Sequence, residues 1–264
     1  MDVTVIAYTG VNTVNMDRAV TATGDRYEVV KEGDEWPGDS ALLSEFAGRA
    51  CYKSWHRPNP RTASNSRYLA HIIESNHFSV LEHGSVSVYV TGVSRALTHE
   101  LVRHRHLSFS QLSQRFTKVD DIDEPIMPPL YQGDSLEAIQ AREIVAEAWS
   151  QAVDAYRRLV QIGEEAMAAR GEFSGTQVRK MVREAARSVL PNCTPTEIVV
   201  TGNHRTWREV LEKRGSIHAD AEIRQFAVKM YRLLSGLDPH LYQDFHIGGS
   251  GVGEVLVRTE VDDG

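Results

Sequence analysis

Between Ser85 and Leu101 the apolar spacing changes period, and that change narrows the folds open to this chain. Val86, Val88 and Val90 alternate with polar residues, the pattern of a strand with one buried face. Val93, Ala96, Leu97 and Leu101 then follow helical spacing, which predicts a helix ending near His104. Elsewhere strands are few and helices long. Val3–Tyr8 and Glu197–Thr201 read as short strands. Asp39 can cap a helix running to about Lys53, and further helices are expected over Ser64–Glu74, Ser135–Ala169, Thr176–Leu190, Arg205–Lys213 and Ala219–Leu234. Val11–Pro37 is polar and reads as a surface loop, Asp120–Gly133 as a connector and Gly171–Gly175 as a break. No βαβαβ rhythm is present, so the class is α+β, a mixed or antiparallel sheet core with long helices. One catalytic domain is expected over residues 1–245, with a Gly-rich tail over 246–264 that forms a hairpin or stays disordered.

The 264 residues carry a net charge of −7, which argues against a surface that coats nucleic acid. No stretch approaches the ~20 apolar residues of a membrane span, and the first residues lack a signal-peptide pattern, so a cytosolic protein is expected. Cys51 and Cys193 are too few for a disulfide framework or a structural zinc site of their own. Neither a phosphate-cradling Walker loop nor a GxGxxG turn occurs, so any nucleotide is held by other means.

One segment stands apart from this ordinary background. Arg103-His104-Arg105-His106-Leu107-Ser108-Phe109-Ser110-Gln111-Leu112-Ser113-Gln114-Arg115 holds three arginines, two histidines, three serines and two glutamines. Such a segment cannot pack into a core, because buried guanidinium and amide groups need partners. Leu101 to Val119 contains no acid, and Arg103, Arg105, Arg115 and Lys118 make it a basic island in an acidic chain. Either it is a solvated loop, or its donors face a small polyanion such as a nucleotide phosphate, for which arginine's planar fork is suited.

The run Arg103-His104-Arg105, seven residues, then Ser113 resembles the signature of the flavin-dependent thymidylate synthases. Glu45–Tyr52, His77–His83, Arg187–Leu190, Val199–Asn203 and Arg214–Asp220 resemble that family too, with the actinobacterial branch nearest, over roughly residues 40 to 245. The resemblance implies a dTMP-forming methyltransferase. It would use methylenetetrahydrofolate as carbon donor, FAD as hydride carrier and NADPH as reductant, without a cysteine nucleophile. It also implies a homotetramer with active sites between subunits, and no metal. Carried over by position, Ser79, Arg103, His104, Arg105, Gln111, Asn203, His204 and Arg205 would contact FAD. Glu100, Leu101, Val102, Arg103, Gln111, Leu112, Ser113, Gln114, Arg115, Arg187 and Arg214 would contact dUMP, with Arg214 catalytic. A fixed cation at the uracil edge favours the N3-ionised ring and enriches carbon five in electrons.

Three positions depart from the common family pattern: Gln111 replaces a frequent glutamate, Phe116 a tyrosine, and Glu209 a histidine or asparagine near the flavin. Blander readings exist for the same residues. Arg103 to His106 could serve as helix C-terminal cations, worth a few tenths of a kcal/mol each. His99-Glu100-Leu101-Val102-Arg103 begins like a zincin helix but ends in arginine where the second histidine belongs. Cys193 follows Pro191-Asn192 and invites comparison with cysteine-dependent synthases, yet nothing else in the chain resembles them. A nucleotide-binding relic and a plain flavin NADPH oxidase are the remaining alternatives.

Overall fold

The expected strand-to-helix switch is present: a strand over Ser85–Ser94 leads directly into a helix over Arg95–Leu101. The structure, a computed structural model, describes residues 1–30, 36–57, 59–117, 124–171, 174–251 and 253–259. The elements in chain order are β1 (Asp2–Tyr8), α1 (Thr13–Thr21), α2 (Asp39–Tyr52), α3 (Asn65–Glu74), β2 (Ser85–Ser94), α4 (Arg95–Leu101), β3 (Ser108–Gln111), α5 (Leu136–Arg170), α6 (Gly175–Ala186), β4 (Pro195–Asn203), α7 (His204–Arg214), α8 (Ala221–Leu237), β5 (Phe245–Ser250) and β6 (Gly253–Arg258). Strands β1-β2-β4-β3 form one sheet in that order, and β5 and β6 form a second, antiparallel pair. The α+β class is what the structure shows.

The chain gathers into two compact units. The first comprises residues 1–2, 90–103 and 109–199, the second residues 3–89, 104–108 and 200–264; β2 and β4 each run from one into the other. In the first unit the 35-residue helix α5 starts at a Ser135 cap and packs on α6. Ser174 and Gln177 close a capping box at the start of α6. Trp149, Val153, Tyr156 and Ala186 form the shared core, with Val160, Leu190 and Cys193 packed against it.

In the second unit, α2 packs on α3, α7 on α8, and β6 on both α7 and α8. Trp207 of α7 is fully buried and its indole N–H donates to the Val86 carbonyl at 3.2 Å, tying that helix to β2. Gly202 precedes α7 because a Cβ there would stand 2.4 Å from the Leu107 side chain. The Gly-rich segment after His246 is a hairpin, with Phe245 opposite Arg258 and Ser250 opposite Gly253.

Several expectations need correction. The loop predicted over Val11–Pro37 contains α1, whose Asn12 cap accepts from the Asn15 N–H at 3.0 Å. Met16 and Val20 are buried with Tyr27 and Trp55, but two apolar residues four apart are too sparse a signal in polar surroundings. Residues 31–35 of that stretch lie outside the described residues, as do residues 118 and 119, residues 120–123 of the connector and residues 172–173 of the break.

Asp39 is not the cap of α2. Gly38 holds that position at φ 92°, and the Asp39 carboxylate instead accepts from the Val11 N–H and the Trp36 indole. Helix α4 stops at Leu101, short of His104, because Val102 and Arg103 close the turn with hydrogen bonds to Thr98 and Glu100. Helix α6 ends at Ala186, and a 3-10 turn carries Arg187–Val189.

Candidate functional site

The basic segment is split by its own turn. The Leu107 N–H bonds to the His104 carbonyl, then β3 begins at Ser108. Arg103, Arg105 and His106 are exposed, but His104 is turned inward and only 6% exposed. The reason is in α7: Arg214, its last residue, donates Nε–H to His104 Nε2 at 3.0 Å. A helix-end arginine and a loop histidine 110 residues apart in sequence are thus joined inside the second unit.

The start of α7 holds three more candidates. Asn203 caps the helix, its Oδ1 accepting from the Thr206 N–H and hydroxyl at 2.9 Å each. Arg205 is exposed and pairs with Glu82 at 2.5 Å, on the turn Phe78–Glu82 that also carries exposed Ser79. His204 goes elsewhere. Its ring is completely buried, shares a 2.7 Å hydrogen bond with the Tyr242 hydroxyl, and faces Asp238. The side-chain contact with FAD expected of it therefore has no exposed surface to work from. What the ring does instead is hold α7 against the turn that follows α8.

Phe78, Arg205, Arg208, Glu209, Glu212 and Arg258 line a cavity of about 220 Å³ on this face of α7. Arg208 is neutralised by Asp244 through a bidentate pair at 2.7 and 2.6 Å. Glu209, one of the departures noted above, is claimed by Lys213 at 2.5 Å. Lys213, with smaller contributions from His104 and His106, holds its carboxyl below the usual range. The carboxylate is thereby compensated within its own helix, which answers how an acid is tolerated beside these cationic groups.

In the first unit, Glu100 and Leu101 end α4 and Val102 and Arg103 follow it, with Leu101 fully buried and Arg103 exposed. Gln111 on β3 donates its amide to the hydroxyls of Thr98 at 2.9 Å and Thr196 at 3.4 Å, which fixes the amide's orientation. Leu112, Ser113, Gln114 and Arg115 follow, all half-buried. The Ser113 carbonyl accepts from the Phe116 and Thr117 N–H groups, so the loop curls on itself. Arg115 pairs with Glu184 of α6 at 2.6 Å, and an anion must compete with that carboxylate for it.

Arg187 is exposed at the end of α6, and Arg95 lies near enough that the two cations repel. Arg95 escaped the sequence reading. It is half-buried, donates to the Leu112 carbonyl at 3.1 Å, and its buried Nε lacks a protein partner. Burial first, then Arg187, pushes its guanidinium below the usual range. Two neighbouring guanidinium groups, one with a buried nitrogen lacking a protein partner, make a place that favours an anion. No sequence signal distinguished Arg95 from any first-turn helix residue.

Among the described residues no three His, Cys, Asp or Glu side chains gather into a metal-holding group, and no helix is long and apolar enough to cross a membrane. Both cysteines are free thiols, Cys51 exposed and Cys193 half-buried.

The family model described as thymidylate synthase complementing protein matches residues 34–240. The chain belongs to that family. It is 47% identical over 234 residues to the flavin-dependent thymidylate synthase of Mycolicibacterium gilvum, covering 86% of this chain and 91% of that protein. The enzyme of the same name from Mycobacterium tuberculosis is 49% identical over 210 residues, covering 80% and 81%. Among solved structures, thymidylate synthase X from Helicobacter pylori, crystallised with FAD and dUMP, superposes with a TM-score of 0.59. Sequence identity there is 19%, with 92% of this chain and 98% of that one covered, so this likeness concerns the fold. The flavin-dependent thymidylate synthase resemblance read from the signature, its actinobacterial character included, stands on these matches.

Proposed function

We propose that this chain forms dTMP by reductive methylation of dUMP, with methylenetetrahydrofolate as carbon donor, FAD as hydride carrier and NADPH as reductant. The family membership and the relatives' names support the reaction class. The observation that carries the reading to a mechanism is Arg214. Its Nε–H donates to His104, which brings this arginine against one residue of the basic segment within the second unit. Aimed at the uracil edge, it stabilises the N3-ionised pyrimidine and so raises electron density at carbon five.

Arg187, Arg115 and Ser113 are the dUMP-phosphate group of this reading, with Arg95 added because its buried Nε lacks a protein partner beside Arg187. Glu100, Leu101, Val102, Arg103, Gln111, Leu112 and Gln114 complete the substrate wall; fully buried Leu101 serves by packing rather than by contact. Ser79, Arg103, His104, Arg105, Gln111, Asn203 and Arg205 are the cofactor set of this reading. Their exposed guanidinium and hydroxyl groups suit a pyrophosphate with no Gly-rich loop to cradle it. The α7 cavity is below the 300 Å³ or more of a typical ligand pocket, so it fits one portion of a dinucleotide rather than the whole. When bound, FAD supplies the hydride that completes the methyl group.

No cysteine nucleophile is needed. Burial pushes the Cys193 thiol up, away from the thiolate that would attack a pyrimidine. A cytosolic homotetramer with active sites between subunits completes the proposal.

The deciding experiment is the visible spectrum of the purified protein, taken anaerobically with NADPH and then with dUMP and methylenetetrahydrofolate. A flavin spectrum that bleaches with NADPH and recovers as dTMP forms is the expected result. A protein that stays colourless after incubation with FAD would remove the reading. Reoxidation indifferent to dUMP would replace it with an NADPH oxidase.

A further inference from the structure

We infer that the C-terminal hairpin of β5 and β6 belongs to the cofactor site, and that Arg258 is its positioning residue, holding through Phe78 the turn that carries Ser79. The inference rests on the reading of Ser79 and Arg205 as cofactor groups. It reaches beyond the matched family segment, which ends at residue 240, before the hairpin begins.

Three observations within the second unit carry it. First, β6 packs on α7, and its Arg258 lines the same cavity as Phe78, Arg205 and Glu209. Second, Asp244, the buried residue just before β5, accepts from Arg208 through both oxygens and from Arg258 Nε at 2.7 Å. One carboxylate thus gathers a helix arginine and a hairpin arginine. Third, both guanidinium groups meet one ring: their central carbons lie 5.4 Å and 5.9 Å from the centre of Phe78. Phe245 of β5 adds a second ring, 5.0 Å from the Arg208 carbon. Phe78 opens the turn Phe78–Glu82, and Glu82 at its far end pairs with Arg205 at the start of α7. The turn is gripped at both ends, with Ser79 between them.

The hairpin has other attachments, so Arg258 is not needed merely to hold it in place. The Leu256 N–H donates to the Gly215 carbonyl at 2.8 Å, the Tyr231 hydroxyl donates to the Phe245 carbonyl at 2.7 Å, and Arg232 pairs with Glu254. Asp244 likewise has a bidentate partner in Arg208 already. A second arginine on that carboxylate leaves one cation in excess, which exposed Glu212, 3.6 Å from Nη1, offsets in part. Beside the electron-rich face of Phe78 that cation is attracted to the ring. A turn fixed before the cofactor arrives needs less ordering on binding.

The test uses the full-length protein and three variants, Arg258→Ala, Phe78→Leu and Glu254→Ala. The last loosens the hairpin on its α8 side, away from the cavity. Arg258→Ala and Phe78→Leu are each expected to raise the FAD dissociation constant about fivefold or more, read from flavin fluorescence, and their combination is expected to add little. Glu254→Ala should bind FAD like wild type. Unchanged affinity in Arg258→Ala, additive losses in the double variant, or an equal loss in Glu254→Ala would each overturn the inference. Should Arg258→Ala fail to fold, Phe78→Leu carries the test alone, and unchanged FAD affinity there overturns it.

Hydrogen exchange of the FAD-free protein separates this inference from the cofactor reading. The amides of residues 79–83 should exchange faster in Arg258→Ala than in wild type or Glu254→Ala. If the wild type binds no FAD, the proposed cofactor falls, whereas exchange still reports whether Arg258 holds the turn. Equal exchange in all three proteins sinks the inference.

Discussion

Inside the second unit, His204 Nε2 faces Asp238 Oδ2 across 3.6 Å, a gap longer than a hydrogen bond, while Nδ1 is bonded to Tyr242. Burial pushes the His204 ring down to about 3 and the Asp238 carboxyl up to about 6, so near neutrality the ring is uncharged. A Cβ on Gly38 would stand 2.3 Å from Asp238 Oδ1, and the same oxygen accepts the Ala41 N–H at 3.0 Å. The pair thus locks the start of α2, the start of α7 and the end of α8 together.

The pH dependence of stability follows from the two signs. Asp238, with its pKa raised, contributes stability in full below the unfolded value near 4, and this is lost as pH rises through about 6. His204, with its pKa lowered, contributes stability above about 6.5, and this is lost as pH falls toward about 3. Between pH 4 and 6 the two oppose. Replacing Asp238 by Asn leaves His204 unopposed, so the variant should lose about 1.4 kcal/mol more than wild type per pH unit of acidification in that window. Urea midpoints at several pH values measure it; parallel curves for the two proteins would refute the pairing.

The buried Arg208–Asp244 pair anchors the hairpin to α7, with Arg258 of β6 donating to the same carboxylate at 2.7 Å. Burial alone would raise the Asp244 pKa, but the two arginines outweigh it and hold it below the usual range. Asp244→Asn leaves a buried guanidinium poorly compensated and should cost about 3–5 kcal/mol in thermal or urea unfolding. Arg208→Lys should not be neutral, since an ammonium cannot make both bonds.

Cys193→Ala is expected to keep dTMP formation within about twofold while costing about 1 kcal/mol, because the thiol only fills space beside the Trp149 cluster. Abolished turnover in a folded, FAD-loaded variant would restore a nucleophilic cysteine.

Arg214→Ala is expected to bind dUMP measurably while kcat falls about 100-fold or more. Equilibrium binding of dUMP and single-turnover dTMP formation separate the two effects. Unchanged turnover would remove the proposed ring-ionising role.

The sequence by itself determined the α+β class, the order of nearly all helices and strands, and the basic segment at Arg103–Arg115. These are local: period two at Ser85–Val90, helical spacing elsewhere, and a density of arginine and amide groups that no core accepts. Helix α1 was illegible because Met16 and Val20 alone carry its apolar face, and their partners Tyr27 and Trp55 arrive from later in the chain. The candidate site divides the same way. That Arg103, Arg105 and Arg115 form a basic island was readable from their neighbours, whereas Arg205 was named only through the family resemblance. Only the tertiary structure decided that His104 turns inward to Arg214, that His204 belongs to Tyr242 and Asp238, and that Arg95 lies half-buried near Arg187. Each of those partners is distant in sequence. A side chain's charge and direction depend on what folding brings against it, and linear spacing carries no record of that.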